Sequence, residues 1–146
     1  MELLVVSAIL LILASAIAPL SSVTMQRQRE TELRRSLREL RTAIDGYKDA
    51  VDLGLIAGTD VDVSNAGYPP HLELLVEGIE TTDQENTGRL RFLRRIPIDP
   101  MTKTTTWGLR AYEDDQGDSS WGGENVYDIF TTSRGTALDG TLYRDW

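Results

Sequence analysis

Residues 3–25 read LLVVSAILLILASAIAPLSSVTM and carry no charge, and directly after them the pattern of apolar and polar positions changes. Twenty-three helical residues at about 1.5 Å each reach about 34 Å, enough to cross a hydrocarbon layer about 30 Å thick. The run therefore predicts a membrane-crossing helix. A retained helix is expected rather than a cleaved signal peptide, because no basic segment precedes the run and the helical pattern continues past it. Beyond Met25 the apolar positions are Leu33, Leu37, Leu40, Ile44, Tyr47 and Val51, spaced 4, 3, 4, 3, 4. That spacing predicts one amphipathic face continuing the same helix to about Asp52, some 50 residues in all. Fewer than three heptads favour a helix covering a small sheet over a coiled coil. Pro19 removes a backbone hydrogen bond and crowds the carbonyl four residues back, so a kink or local melting is expected between Ser15 and Pro19.

From Gly54 the pattern breaks up into short pieces. Gly67-Tyr68-Pro69-Pro70 reads as a turn leading into a short helix at 71–77 with Gly78 as its C-cap. Residues 81–88 (TTDQENTG) read as a polar loop, and Pro97-Ile98-Asp99-Pro100 as a rigid extended segment. Alternation with β-branched and aromatic residues predicts strands at 105–112 and 125–131, joined by a loop at 114–123. Three stretches follow: an apolar helix half (1–25), its amphipathic continuation (26–53) and a mixed head (54–146). Within the head, Trp107, Tyr127, Ile129 and Phe130 are expected to pack against Ile44, Tyr47 and Val51. The tail, 133–146, is irregular, with Leu138, Leu142, Tyr143 and Trp146 as its candidate anchors.

Charge sharpens the division. The first 41 residues hold six Arg and four Glu, a balance of +2, while residues 42–146 sum to −10. An acidic body makes nucleic acid an unsuitable direct partner, because neutralising phosphates requires a basic face. The absence of cysteine excludes disulfides and thiolate metal sites. Arg27, Arg29, Arg34 and Arg35 follow the apolar run closely, and by the positive-inside rule alone that side would be cytoplasmic. Glu2 admits two readings. It can sit at headgroup level at the helix N-terminus, where the macrodipole favours a carboxylate, or it can lie within the apolar phase and require a cationic partner.

No arrangement carries catalysis, and an enzyme is not expected. His71, the only histidine, stands at a helix start; Ser133, Asp128 and His71 lack any nucleophile elbow around the serine. Gly117, Gly122 and Gly123 match no nucleotide-binding pattern. The run Glu113, Asp114, Asp115 and Asp118 reads as a solvated face. Asp139 and Asp145 could offer a hard cation two carboxylates, where calcium takes six to eight oxygens.

Glu2-Leu3-Leu4-Val5-Val6, the Ala/Ile/Leu run and Pro19 seventeen residues after Glu2 resemble the N-terminal helix of type IV pilins and type II secretion pseudopilins. Tyr47, Gly67-Tyr68-Pro69, Leu72 with Leu74-Leu75-Val76, Ile96-Pro97-Ile98-Asp99-Pro100 and Trp107-Gly108 resemble the major pseudopilins of type II secretion. Tyr127-Asp128-Ile129-Phe130, Thr136-Ala137-Leu138-Asp139-Gly140 and Trp146 extend the likeness over nearly the whole chain. The resemblance implies an α+β, pilin-like fold in which a long helix running from membrane to periplasm packs on a small antiparallel sheet. It implies a subunit of the helical pseudopilus that drives protein export, with Glu2 and Pro19 acting in assembly and a methylated N-terminus. The implied partners are other copies of the chain, minor pseudopilins, the inner-membrane assembly platform and the membrane itself. The implied location is the bacterial inner membrane, single-pass, with the N-terminus cytoplasmic and the head periplasmic. A basic leader in family precursors would set that orientation, leaving the arginines of 27–41 to meet acidic faces of neighbouring subunits.

Calcium is the one cofactor the resemblance raises, through Asp139 and Asp145, but a metal-free tail held by its apolar anchors and an Asp139-Gly140 turn is expected. Two other readings stay open: a type IV pilin for adhesion, motility or DNA uptake, and a monomeric membrane-anchored periplasmic binding domain. The lack of a cysteine pair near the C-terminus leans away from an adhesive pilin.

Overall fold

The computed structural model describes the backbone of residues 2–56, 66–82, 88–115 and 120–146, and their side chains except those of 14–21. One helix dominates it. Helix α1 spans Glu2–Asp52, 51 residues, and its backbone stays helical through Pro19, so the expected local melting is not seen; the Pro19 side chain lies outside the described residues. Its far end is closed by Gly54 at φ +66°. There Leu55 N–H donates to Ala50 O and Gly54 N–H to Val51 O, both at 2.9 Å. This pair of bonds around a left-handed glycine satisfies carbonyls that the helix end would otherwise strand.

The rest of the chain forms short elements on the outer half of α1. Helix α2 spans Glu73–Glu77, starting later than the sequence suggests because His71 and Leu72 complete a turn after Pro70. It ends at Gly78, whose N–H donates to Leu74 O at 2.9 Å. Gly78 has φ +78°, and a Cβ there would stand 2.8 Å from Leu90 O, so no other residue fits. Strands β1 (Ile79–Glu80) and β2 (Arg89–Leu90) pair antiparallel. Strands β3 (Gly108–Arg110) and β4 (Asp128–Phe130) form a second antiparallel pair, with Leu109 opposite Ile129. The fold is α+β: a long N-terminal helix with two small two-stranded sheets.

Strands β3 and β4 are shorter than the alternation of 105–112 and 125–131 predicts. Past Arg110 side chains take over the ladder: Ala111 N–H donates to Asp114 Oδ2 at 2.7 Å and Tyr112 N–H to Asn125 Oδ1 at 2.9 Å. These bonds turn the chain instead of extending it.

The core lies between the outer half of α1 and these elements. Leu33, Leu37, Leu40, Ile44 and Tyr47 are buried together with Leu74, Leu75, Trp107, Val126 and Ile129, and Val51 packs half-buried against them. Two expected core residues lie elsewhere. Tyr127 is 45% exposed, because β4 begins only at Asp128 and its alternation does not reach back; the ring packs instead on Tyr68 and Tyr112, centroids 5.1 and 5.3 Å away. Phe130 is half-buried on the face opposite Ile129, as period-two alternation requires of adjacent residues. Its ring covers Gly108 across the strand pair, where a Cβ would come within 2.4 Å, and carries the Arg110 guanidinium 4.7 Å above it.

Asp99 is fully buried. Its carboxylate accepts the Thr131 hydroxyl and the Met101 N–H, while Trp107 Nε1–H donates to Pro97 O at 3.0 Å. The proline-bracketed segment is thereby stitched to the end of β4, and burying the carboxylate is tolerated because hydrogen bonds replace its water.

Candidate assembly surface

The two halves of α1 meet different surroundings. Between Leu3 and Leu13 every large apolar side chain is exposed, from 52% at Ile9 to 83% at Leu3. Glu2 stands in the first turn of this stretch, also exposed. The apolar side chains are thus turned outward on all sides of the helix, where most water-facing helices carry them on one stripe only. Among the described residues no helix is long and apolar enough to cross a membrane. The described side chains of this stretch stop at Leu13 and resume at Ser22.

The outer half begins where α1 takes hold of the tail. Gln26 Nε2–H donates to Tyr143 Oη at 2.9 Å and to Thr136 O at 3.2 Å. One turn on, Glu30 Oε1 accepts the Tyr143 hydroxyl at 3.0 Å and the Leu138 N–H at 2.9 Å. The next turn brings Arg34, its guanidinium 4.1 Å from the Trp146 ring and Nη2 3.7 Å from Asp139 Oδ2. Arg41 completes the row: its Nε–H donates to Asp128 Oδ1 at 2.7 Å and its Nη2–H to Trp146 O at 2.8 Å. Residues four and seven apart share one helix face, so a single polar stripe fastens both tail and β4. Burial pushes the Tyr143 hydroxyl above the usual tyrosine range, and the neighbouring Glu30 carboxylate adds to the rise.

Sequence reasoning missed this stripe. Gln26, Glu30 and Arg34 at i, i+4, i+8 were its only local signal, and such spacing equally describes a solvated face. Their partners lie more than a hundred residues away.

The tail residues considered for calcium are engaged within the turn. Asp139 Oδ1 accepts the Thr141 N–H at 2.9 Å and the Thr141 hydroxyl at 2.6 Å. These bonds, hydroxyl first, hold its carboxyl below the usual aspartate range. Asp145 lies 3.7 Å from Arg144 Nε. Among the described residues no group of three or more His, Asp or Glu is gathered to hold a metal ion.

The other residues weighed for chemistry are dispersed. His71 is exposed ahead of α2, Asp128 is taken by Arg41, and Ser133 Oγ accepts the Gly135 N–H at 3.3 Å. Glu113 accepts from Asn125 Nδ2 at 3.1 Å, and Asp114 accepts the N–H groups of Ala111 and Gly122. Gly122 and Gly123 lie in an exposed turn, while Gly117 and Asp118 fall outside the described residues. No protein-family model matches the chain, and no curated protein or solved structure matches it significantly.

Proposed function

We propose that the chain is a structural subunit that polymerises through its N-terminal helix into a membrane-derived helical filament, of the kind built by the major pseudopilins of type II secretion. The observation that carries the reading is the contrast along α1: an apolar, exposed stretch from Leu3 to Leu13 on the same helix whose outer half is buried in a folded head. In such a filament the exposed stretches pack on one another after leaving the bilayer, and the heads form the outer wall. The sequence likeness around Glu2, Pro19 and the head motifs supports the same reading. On this reading the head is periplasmic, the N-terminus faces the cytoplasm, and the assembly platform and minor subunits are the partners besides other copies.

Glu2 would then act in ordering subunits. A carboxylate at the start of an apolar helix is stabilised by a cation in the same phase, and a neighbouring subunit's N-terminal amine is of the right charge. Replacing Glu2 with Leu leaves the head folded, since Glu2 lies on the stretch of α1 that the head does not cover. The expected result is loss of filaments in negative-stain images of overexpressing cells, with head stability unchanged. Normal filament yield from Glu2→Leu would overturn the role of Glu2. Absence of filaments from the unaltered chain together with its secretion platform would overturn the proposed function.

A further inference from the structure

We propose that the hairpin at 136–142 lies in the headgroup layer of the bilayer that α1 enters, and that Leu138 and Leu142 give the head a second, shallow hold on that layer. The inference rests on the membrane reading of residues 3–25. Its basis is where the tail is fastened along α1 and which of its side chains are left uncovered.

Thr136 and Leu142 form an antiparallel bridge. Inside it Ala137 N–H donates to Thr141 O at 2.8 Å and Gly140 N–H to Ala137 O at 3.0 Å, closing a tight hairpin. Burial alternates along it. Ala137 and Tyr143 are buried in the core, whereas Thr136, Leu138 and Leu142 are exposed. Residues two apart on a strand, and residues directly opposite across a pair, share one face. Thr136, Leu138 and Leu142 therefore stand on the outer face of the hairpin. The two leucines, expected from the sequence to anchor the tail, are instead 42% exposed each.

Position selects the occupant. The hairpin is bonded to α1 through Thr136 O, which accepts from Gln26, and through Leu138 N–H, which donates to Glu30. Gln26 and Glu30 follow Met25 by one and five residues, a rise of about 1.5 and 7.5 Å. The headgroup layer is about 5–7 Å deep, so an upright helix already holds the hairpin at that depth. Val23 and Met25, also exposed, join its level to the apolar run. The carboxylates nearest the hairpin are engaged: Glu30 holds the Tyr143 hydroxyl and the Leu138 N–H, and Asp139 holds Thr141 with Arg34 3.7 Å away. Arg27 and Arg29 are exposed on the turn after Met25, with the sign that lipid phosphates attract. Two leucines are far too little surface for a second copy, since a stable interface buries about 1,200–2,000 Å². They suffice for a layer that α1 has already entered, because the tether keeps them at high effective concentration there.

The chain has no cysteine, so single labels are clean. The full chain, reconstituted in vesicles of phosphatidylcholine and phosphatidylglycerol, carries a fluorophore at Thr136→Cys. A control label at Leu53→Cys is exposed just past the far end of α1, about 40 Å beyond Met25. A headgroup nitroxide lipid should quench Thr136→Cys several-fold more than Leu53→Cys. Leu138→Gln with Leu142→Gln should remove most of that difference, and Leu138→Met with Leu142→Met should keep it. Both pairs replace exposed side chains, so thermal melting of the head in detergent should stay unchanged. Quenching should also persist when the chain is diluted to one copy per vesicle; its loss on dilution would assign the leucines to a second copy and overturn the lipid contact. Equal quenching at the two labels, or a difference that the glutamine pair retains, in protein that resists alkaline carbonate extraction, overturns the contact alone. Release of the protein by carbonate overturns the membrane reading and the contact with it.

Discussion

The inner and outer halves of α1 share one backbone and differ in what holds them. From Leu33 to Val51 a narrow apolar seam is covered by the head, whereas from Leu3 to Leu13 apolar side chains point outward all round. A seam is satisfied by one packing partner. A helix that is apolar on every side needs an apolar surrounding. The outer half is therefore stabilised within the molecule and the inner half by whatever it enters, which is why substitutions in the two should be felt in different measurements.

The largest contrast is expected between Leu40→Ala and Leu10→Ala. Leu40 is fully buried, and truncating a buried Leu to Ala costs about 2–5 kcal/mol. Thermal melting of the detergent-solubilised full chain should therefore show a large loss in the head for Leu40→Ala. Leu10→Ala should leave that transition unchanged, and a comparable loss there would erase the distinction between the halves.

Next in size is the pair Ile129→Ala and Phe130→Ala. Ile129 is fully buried and faces the helix, so its truncation should rank with that of Leu40. Phe130 keeps one face against Gly108 and Arg110, and its truncation should cost visibly less. A reversed order would place the inward face of β4 on the wrong residue.

The polar stripe comes third. Arg41→Ala removes bonds to Asp128 and to the Trp146 carbonyl, and because its side chain is 38% exposed a loss of about 1 kcal/mol is expected. Its pH dependence is carried by Tyr143, whose folded pKa is raised, chiefly by burial. The stabilisation is complete below the unfolded tyrosine value of about 10 and is lost as pH rises through the higher folded value. Chemical denaturation across that alkaline range should show a decline that Tyr143→Phe diminishes.

The smallest effect belongs to Asp139. Its lowered carboxyl contributes above the unfolded aspartate value of about 3.9, and the contribution fades as pH falls through the folded value. Melting in excess chelator and in millimolar calcium should coincide. An upward shift of many degrees with calcium, lost in Asp139→Ala, would return the tail to the cation-bound reading.

The periodic features were legible in the sequence. Six apolar positions at spacings of four and three placed the buried seam of α1, and Gly54 and Gly78 marked the ends of both helices. Features that depend on distant partners were not. Strands β1 and β2, of two residues each, are too short for alternation to register. Asp99 between two prolines reads as a surface residue until Thr131 closes over it. Tyr127 and Phe130 were misplaced because strand alternation was carried past the end of β4 and across two adjacent residues that must face opposite ways. For the proposed assembly, the apolar stretch and Glu2 stood out locally, while the polar stripe that fastens the tail did not, since Gln26, Glu30 and Arg34 meet their partners only through the fold.

The unbroken course of α1 also makes it a mechanical member. A pull on its inner end runs through the rod into the head without a hinge between Met25 and Asp52. The contacts of Leu33, Leu37, Leu40, Ile44 and Tyr47 lie along the line of force and are loaded together in shear, rather than peeled one after another. The polar stripe at Gln26, Glu30, Arg34 and Arg41 adds cross-ties at the end where the load enters. A chain built in this way can be drawn lengthwise while its head stays folded.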